Sequence, residues 1–261
     1  MKVRLIILLV TMSFFLANNV FASSAVVIEK MDRSADEALQ LTKFGQYEGA
    51  ERILKQLSND IVEAAGLNQY FSMDEIRILE DSLKEALFAV NNVKLSPEEK
   101  INRVTTFRLV VDAMNSRYQP LWTELQDPIM TAFSQVKEAA KENNYDSFRT
   151  KLNSFLTKYS LIQPSLKIDL SVDKIQKLEA KITFIDKYSS KLLTDTSGIV
   201  QLTKLEADLQ NMFENADKDE TDPSLWWVII TTGSIIILTL SYTGWRKYKG
   251  ENKRKQKEHN D

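Results

Sequence analysis

From about residue 28 to about residue 215 the apolar positions of this chain recur three and four residues apart, the spacing that gathers them on one face of an α-helix. The first such run, residues 28–43, turns Met31, Ala35, Ala38, Leu39 and Leu41 toward a core. Phe44-Gly45-Gln46-Tyr47 bends the chain, and residues 48–64 repeat the pattern with Ala50, Ile53, Leu54, Leu57 and Ile61 before Gly66, a common helix end. Ser72-Met73-Asp74-Glu75 has the form of a capping box, in which serine and glutamate each satisfy a free amide of the first turn. It opens a helix carrying Ile76, Leu79, Leu83, Leu87 and Val90. Ser96-Pro97-Glu98-Glu99 opens another, with proline at the first helical position and acids at the positive end of the helix dipole. That helix carries Ile101, Val104, Phe107, Val111, Met114 and Tyr118.

Pro120 interrupts the chain, and Asp127-Pro128 starts a helix through Ile129, Phe133, Val136 and Ala140. Asn143-Asn144-Tyr145 resembles the earlier turn and leads into Phe148, Leu152, Phe155 and Tyr159, a helix expected to stop before Pro164. Leu166, Ile168, Leu170 and Val172 alternate at period two. A lone edge strand would have no partner, so an extended linker is the expectation there. Helices over residues 173–189 (Ile175, Leu178, Ile182, Ile185) and 198–215 (Leu202, Leu205, Leu209, Met212) complete an all-α body.

Two stretches break this periodicity. Residues 225–245, LWWVIITTGSIIILTLSYTGW, carry no charge. At about 1.5 Å per residue they form a helix of roughly 31 Å, matching a bilayer's hydrocarbon core of about 30 Å. The reading is a transmembrane helix. Arg246, Lys247 and Lys249 follow it at once, and short basic flanks stay cytoplasmic. Trp226, Trp227 and Trp245 lie where amphipathic rings anchor at the two interfaces. At the other end, Met1 to Arg4 supply a basic start and Leu5 to Leu16 an apolar core shorter than a span. Val20-Phe21-Ala22 then forms a small-residue cleavage site before Ser23. The expected organisation is a signal peptide over residues 1–22, an exported helical domain over 23–216, an acidic linker over 217–224, the membrane helix over 225–245 and a basic cytoplasmic tail over 246–261.

Composition narrows the chemistry. With 0 Cys the exported body has no disulfides and must rest on its core. The body is acidic within a chain of net charge −2, which argues against nucleic acid as a surface-wide partner. The only histidine of the sequence is His259, in the tail, so no Ser-His, Cys-His or histidine-zinc site can form outside. Asp217 to Asp222 lacks the glycine that a calcium loop requires at its sixth position. No cofactor, metal site or catalytic residue is expected. Two carboxylates alone could hydrolyse a glycosidic bond, but acids this numerous do not single out a pair. Arg108, beside the Val104, Phe107, Val111 stripe, is expected to pair with an acid on a neighbouring helix rather than to hold a ligand.

One internal similarity makes a claim about the fold. Ala38, Gly45, Tyr47, Ala50 and Leu54 fall at the spacings of a tetratricopeptide-like helical hairpin. Tyr145, Phe148 and Leu152 occupy the corresponding positions 98 residues on, about three periods of such a repeat. The expected fold is therefore a helical bundle or a short hairpin array, with Tyr47 and Tyr145 both mostly buried.

The sequence GSIIILTLSYTGWRKYKGE, above all the Trp245-Arg246-Lys247-Tyr248-Lys249 junction, together with the signal peptide and the cysteine-free helical body, resembles the sporulation protein YpjB family of endospore-forming bacilli. The resemblance spans the whole chain and implies a role associated with sporulation in a Gram-positive cell. It carries no catalytic motif. The expected function is a non-enzymatic, single-pass membrane protein whose exported face binds an unknown protein. An exported sensor or ligand-binding domain is the alternative, and a carboxylate-dependent cell-wall hydrolase is a third class. A groove lined by aromatics, a closed polar pocket, or a cleft with facing carboxylates would separate them.

Overall fold

The turns at Gly45, Ser72, Ser96 and Asn143 each end or start a helix in the computed structural model, which describes residues 21–65, 71–115, 119–194, 196–216 and 223–258. Residues 1–20 of the expected signal peptide (1–22) and the acidic run 217–222 lie outside the described residues. Helix α1 (Phe21–Lys43) is followed by α2 (Tyr47–Ala65), α3 (Met73–Asn91) and α4 (Pro97–Asn115). A 3-10 turn (Leu121–Leu125) then leads to α5 (Gln126–Lys141), α6 (Tyr145–Asp169), α7 (Val172–Lys187), the short α8 (Ser189–Thr194), α9 (Thr196–Ala216) and α10 (Pro223–Glu258). Among the described residues there is no strand.

Helices α1 to α4 close into a bundle. α1 packs on α2, α2 on α3, α3 on α4, and α4 returns to α1. Ion pairs sit on three of these seams: Lys30 with Asp60 at 3.0 Å, Arg103 with Glu85 at 3.1 Å, and Arg108 with Asp32 at 2.8 Å. The bundle has its own core, including Met31, Ala35, Leu54, Leu57, Leu83 and Phe107. Helices α5, α6, α7 and α9 repeat the same circuit around a second core that includes Trp122, Phe133, Phe155, Ile182, Leu205 and Phe213. Lys137 with Glu206 and Lys181 with Asp208 bond across its seams with α9.

The circuits agree residue by residue. Buried Met31, Ala35, Ala38, Ala50, Leu54 and Leu57 of the first hairpin correspond to buried Ile129, Phe133, Val136, Phe148, Leu152 and Phe155, each 98 residues on. Ile76, Leu79, Leu83 and Ala86 in α3 correspond to Ile175, Leu178, Ile182 and Ile185 in α7, 99 residues on. Val104, Phe107 and Val111 in α4 correspond to Leu202, Leu205 and Leu209 in α9. The unit of repetition is thus one four-helix bundle. Three tetratricopeptide periods would stack hairpins that touch only their neighbours, whereas here α1 reaches past α3 to close on α4. Of the two folds expected, the bundle describes the body.

The two hairpin turns are equivalent in detail. Gly45 has φ +72° and Asn143 φ +53°, the left-handed conformation that terminates a helix. The N–H of Gln46 bonds the Leu41 carbonyl at 2.8 Å, and that of Asn144 bonds Ala139 at 3.4 Å. Gly45 to Thr42 and Asn143 to Ala140 complete both motifs at 3.0 and 3.1 Å. The tyrosines that follow differ from the expectation. Tyr145 is 46% exposed, because its turn points away from the core that Phe148 and Leu152 fill. Tyr47 is half-buried, with the Lys100 ammonium 4.1 Å above its ring.

Helix α4 joins the bundles, and its second half is buried around most of its circumference, as a helix enclosed on several sides is. Phe107, Leu109, Val110, Val111 and Ala113 are all buried, since α4 packs against α6 as well as α1 and α3. Its expected member Tyr118 lies outside the described residues. α6 also corrects the sequence reading. It runs on through Pro164 to Asp169, so Leu166 and Ile168 are helical rather than extended. Proline removes one hydrogen bond of the ladder, but Ile162 and Leu166 on either side are both 0% exposed, and their burial holds the helix.

The chain divides into two compact units, residues 1–216 and 217–261. In the second, α10 contains the uncharged stretch, where Ile229, Ile235, Ile237, Leu238 and Leu240 are exposed. Among the described residues no helix is long and apolar enough to cross a membrane. The side chains of residues 225–228, which open that stretch, lie outside them, and residues 229–245 alone fall short of the about 20 residues a span needs.

Candidate functional site

A groove of about 600 Å³ among the described residues has walls from both bundles. Ile78, Asp81, Ser82 and Glu85 come from α3; Asn102, Arg103 and Thr106 from α4; Thr157, Ser160, Leu161, Gln163, Pro164 and Lys167 from α6. The position of Pro164 matters here. It has no N–H to give the Ser160 carbonyl four residues back, so the α6 ladder loses a donor at the groove wall.

The acids of this groove are already engaged or exposed. Glu99 accepts from the Ser96 amide and hydroxyl, both at 2.8 Å, closing a reciprocal cap with the serine. The backbone bond from Ser96 is the main reason its carboxyl titrates below the usual glutamate range. Glu85 pairs with Arg103 at 3.1 Å. Lys167 pairs with Glu179 at 3.3 Å. The lining is therefore a mixture of hydroxyls, amides and satisfied charges around a few apolar contacts, and it contains no aromatic ring.

Exposed aromatics occur elsewhere. Phe184 and Tyr188 on the second bundle are 43% and 46% exposed, with ring centroids 5.0 Å apart. Phe184 borders a cleft of about 290 Å³ with Ala180, Lys181, Ile185 and Gln201.

A second polar cluster lies at the joint between the bundles. Arg108 donates to both oxygens of Asp32, at 2.8 and 3.3 Å, as the expected pairing across helices. Asp112, one turn on, stands 3.8 Å from the same guanidinium and accepts the Leu121 N–H at 2.7 Å. Burial is the largest influence on Asp112 and raises its pKa, against the Leu121 bond and Arg108. Asp169 accepts the Trp122 indole N–H at 2.6 Å. Burial again dominates and moves its pKa up to about 7.

Of the residues singled out from sequence, Ala38, Ala50, Leu54, Phe148 and Leu152 form the two hairpin cores and take no part in the groove. Trp245 and Lys247 are exposed on α10. Trp226, Trp227, Arg246 and Lys249 have helical backbones, and their side chains lie outside the described residues, as do those of Ala22 and Ser23 in the first turn of α1. The groove residues had no sequence signal, because each is an ordinary polar position of its own helix. Among the described residues no group of His, Cys, Asp and Glu is arranged to hold a metal.

A cysteine-free pair of four-helix bundles that share a polar groove defines the body as an all-helical module. The chain belongs to the YpjB sporulation-protein family: the family model described as "Sporulation protein YpjB (SpoYpjB)" matches residues 28–257. It is 34% identical, over 99% of both chains, to the Bacillus subtilis (strain 168) protein described as "Uncharacterized protein YpjB". No solved structure matches it.

Proposed function

We propose that this sporulation protein is a single-pass membrane protein whose exported two-bundle body binds a partner protein through the groove between α3, α4 and α6. The observation that carries the binding role is the groove's lining. It is walled by two bundles and rich in hydroxyls and amides, and its Glu85 and Glu99 are already engaged by Arg103 and Ser96. The groove lacks the aromatic lining expected of a partner surface, but its hydroxyls and amides match a polypeptide backbone, which offers donors and acceptors along its length. The hydrolase reading loses support from the engagement of those two acids. Anchoring rests on the uncharged residues 225–245, the exposure of the isoleucines and leucines of α10, and the basic residues that follow. The tail orients the chain, with the two-bundle body outside.

A photoreactive residue at Asn102 or Thr157 in sporulating cells should trap one discrete protein, and the same residue at Glu138 should not. A volume of about 600 Å³ also lies in the range of small-molecule sites, which favours the ligand-binding alternative as second reading. Equal labelling from groove and control positions, with a small solute raising the body's melting temperature, would favour that alternative and defeat the partner reading.

A further inference from the structure

Two carboxylates hold adjacent residues of the segment that joins the bundles. Asp112, in α4, takes the Leu121 amide, and Asp169, at the end of α6, takes the Trp122 indole. Trp122 is 1% exposed, and its ring lies 5.6 Å from Phe213 in the second core. The joint is thus fastened on one side by apolar packing and on the other by acids. We propose that Asp112 and Asp169 form a proton-sensitive clamp on this joint and, through α6, on the width of the groove. The use of that width rests on the proposed partner-binding role; the clamp itself does not.

The charges around the pair explain the sensitivity. Arg108 is 3.8 Å from Asp112, but its closer partner is Asp32, at 2.8 Å. Asp32 and Asp36 in α1, Glu75 in α3 and Glu124 in the joint are all negative. Lys167, on the same turn as Asp169, pairs with Glu179 of α7. Arg117, in the joint, lies outside the described residues and is therefore part of the test. Asp169 is exposed as a residue, which by itself argues for a small perturbation. Its short bond to a fully buried indole puts the carboxylate on the enclosed side, where lost hydration disfavours the charged form. The exposure is also what lets protons reach it.

Protonated, Asp169 keeps the Trp122 bond without bringing a second negative charge toward Asp112. Ionised, it repels Asp112 across the contact between α4 and α6. Those two helices carry facing walls of the groove, Asn102 and Thr106 on one side and Thr157 and Pro164 on the other. The groove therefore widens as pH rises through neutrality.

The test uses the full chain in nanodiscs. The Trp122 indole ¹⁵N–¹H resonance, assigned with Trp122→Phe, should titrate with a midpoint within about one unit of 7. Asp169→Asn should abolish that titration, Asp112→Asn should lower its midpoint, and Arg117→Gln should leave it in place. Nitroxides at Asn102→Cys and Thr157→Cys should report a longer separation at high pH than at low pH, and no change with Asp169→Asn. A Trp122 midpoint below about 5, one that rises from there with Arg117→Gln, or an unchanged nitroxide separation overturns the proposal. No partner is present in these measurements, so failure to trap one in cells leaves their outcome untouched.

Discussion

Replacing Arg108 with Met removes the cation that ties α4 to α1 while keeping most of the side chain's bulk. Arg108 and Asp112 side chains are each 11% exposed and Asp32 is 23% exposed, so two carboxylates lose their cation in a largely dry setting. Breaking a buried pair from one side costs about 3 to 5 kcal/mol, because the remaining charge stays desolvated. Asp32 retains some access to water, which places the expectation at about 3 kcal/mol, a large share of a stability of about 5 to 15 kcal/mol. Urea unfolding of residues 21–216 followed by circular dichroism measures it. Asp32→Leu combined with Arg108→Met should cost clearly less than the two single changes added, by roughly 1 to 3 kcal/mol, since the double change leaves fewer orphaned charges. If Arg108→Met alone stays within about 0.5 kcal/mol, as at ordinary surface sites, the network is solvated and its place at the joint is wrong.

The equivalence of the two turns predicts opposite signs. Gly45→Ala should destabilise by about 1 kcal/mol, and Asn143→Gly should be neutral or slightly stabilising, because both positions have positive φ. Tyr145→Ala should stay within about 0.5 kcal/mol, whereas Tyr47→Ala should cost about 1 to 3 kcal/mol through lost packing and the contact with Lys100; thermal melts separate them. Gly198→Ala should cost about 1 to 3 kcal/mol, since a methyl there collides with the Leu192 carbonyl where α8 meets α9. The folded state holds a proton on Asp169 that the unfolded chain has released above its ordinary value of 3.8, so stability falls as pH rises from about 4 to about 7. Urea midpoints should therefore be lower at pH 8 than at pH 5 by more in the wild type than in Asp169→Asn.

Local signals were legible and their assembly was not. The capping box at Ser72 and Glu75 is present with both bonds, 3.2 and 2.6 Å, because four consecutive residues contain all its chemistry. Arg108 was readable for a similar reason: a cation inside an apolar stripe must find an acid. Pro164 misled, because proline is a strong helix stop in isolation and only the burial of Ile162 and Leu166 overrides it. The period-two run after it is a by-product of a helix whose Leu166 follows Ile162 by one turn. The duplication was hidden by volume exchange. Ala35, Ala50 and Leu57 stand where the second bundle has Phe133, Phe148 and Phe155, so the pattern of burial survives while residue identity does not. The groove draws on three helices from two bundles, and no linear motif can announce that.

Protease added to intact protoplasts tests the account most directly. An epitope at the carboxyl terminus and an antibody against the body follow the two halves separately. The account predicts loss of residues 23–216 with the tail protected, and erosion of that pattern when Arg246, Lys247 and Lys249 are made neutral. Recovery of an intact body with a cleaved tail, or release of the whole chain with the soluble fraction, would contradict it.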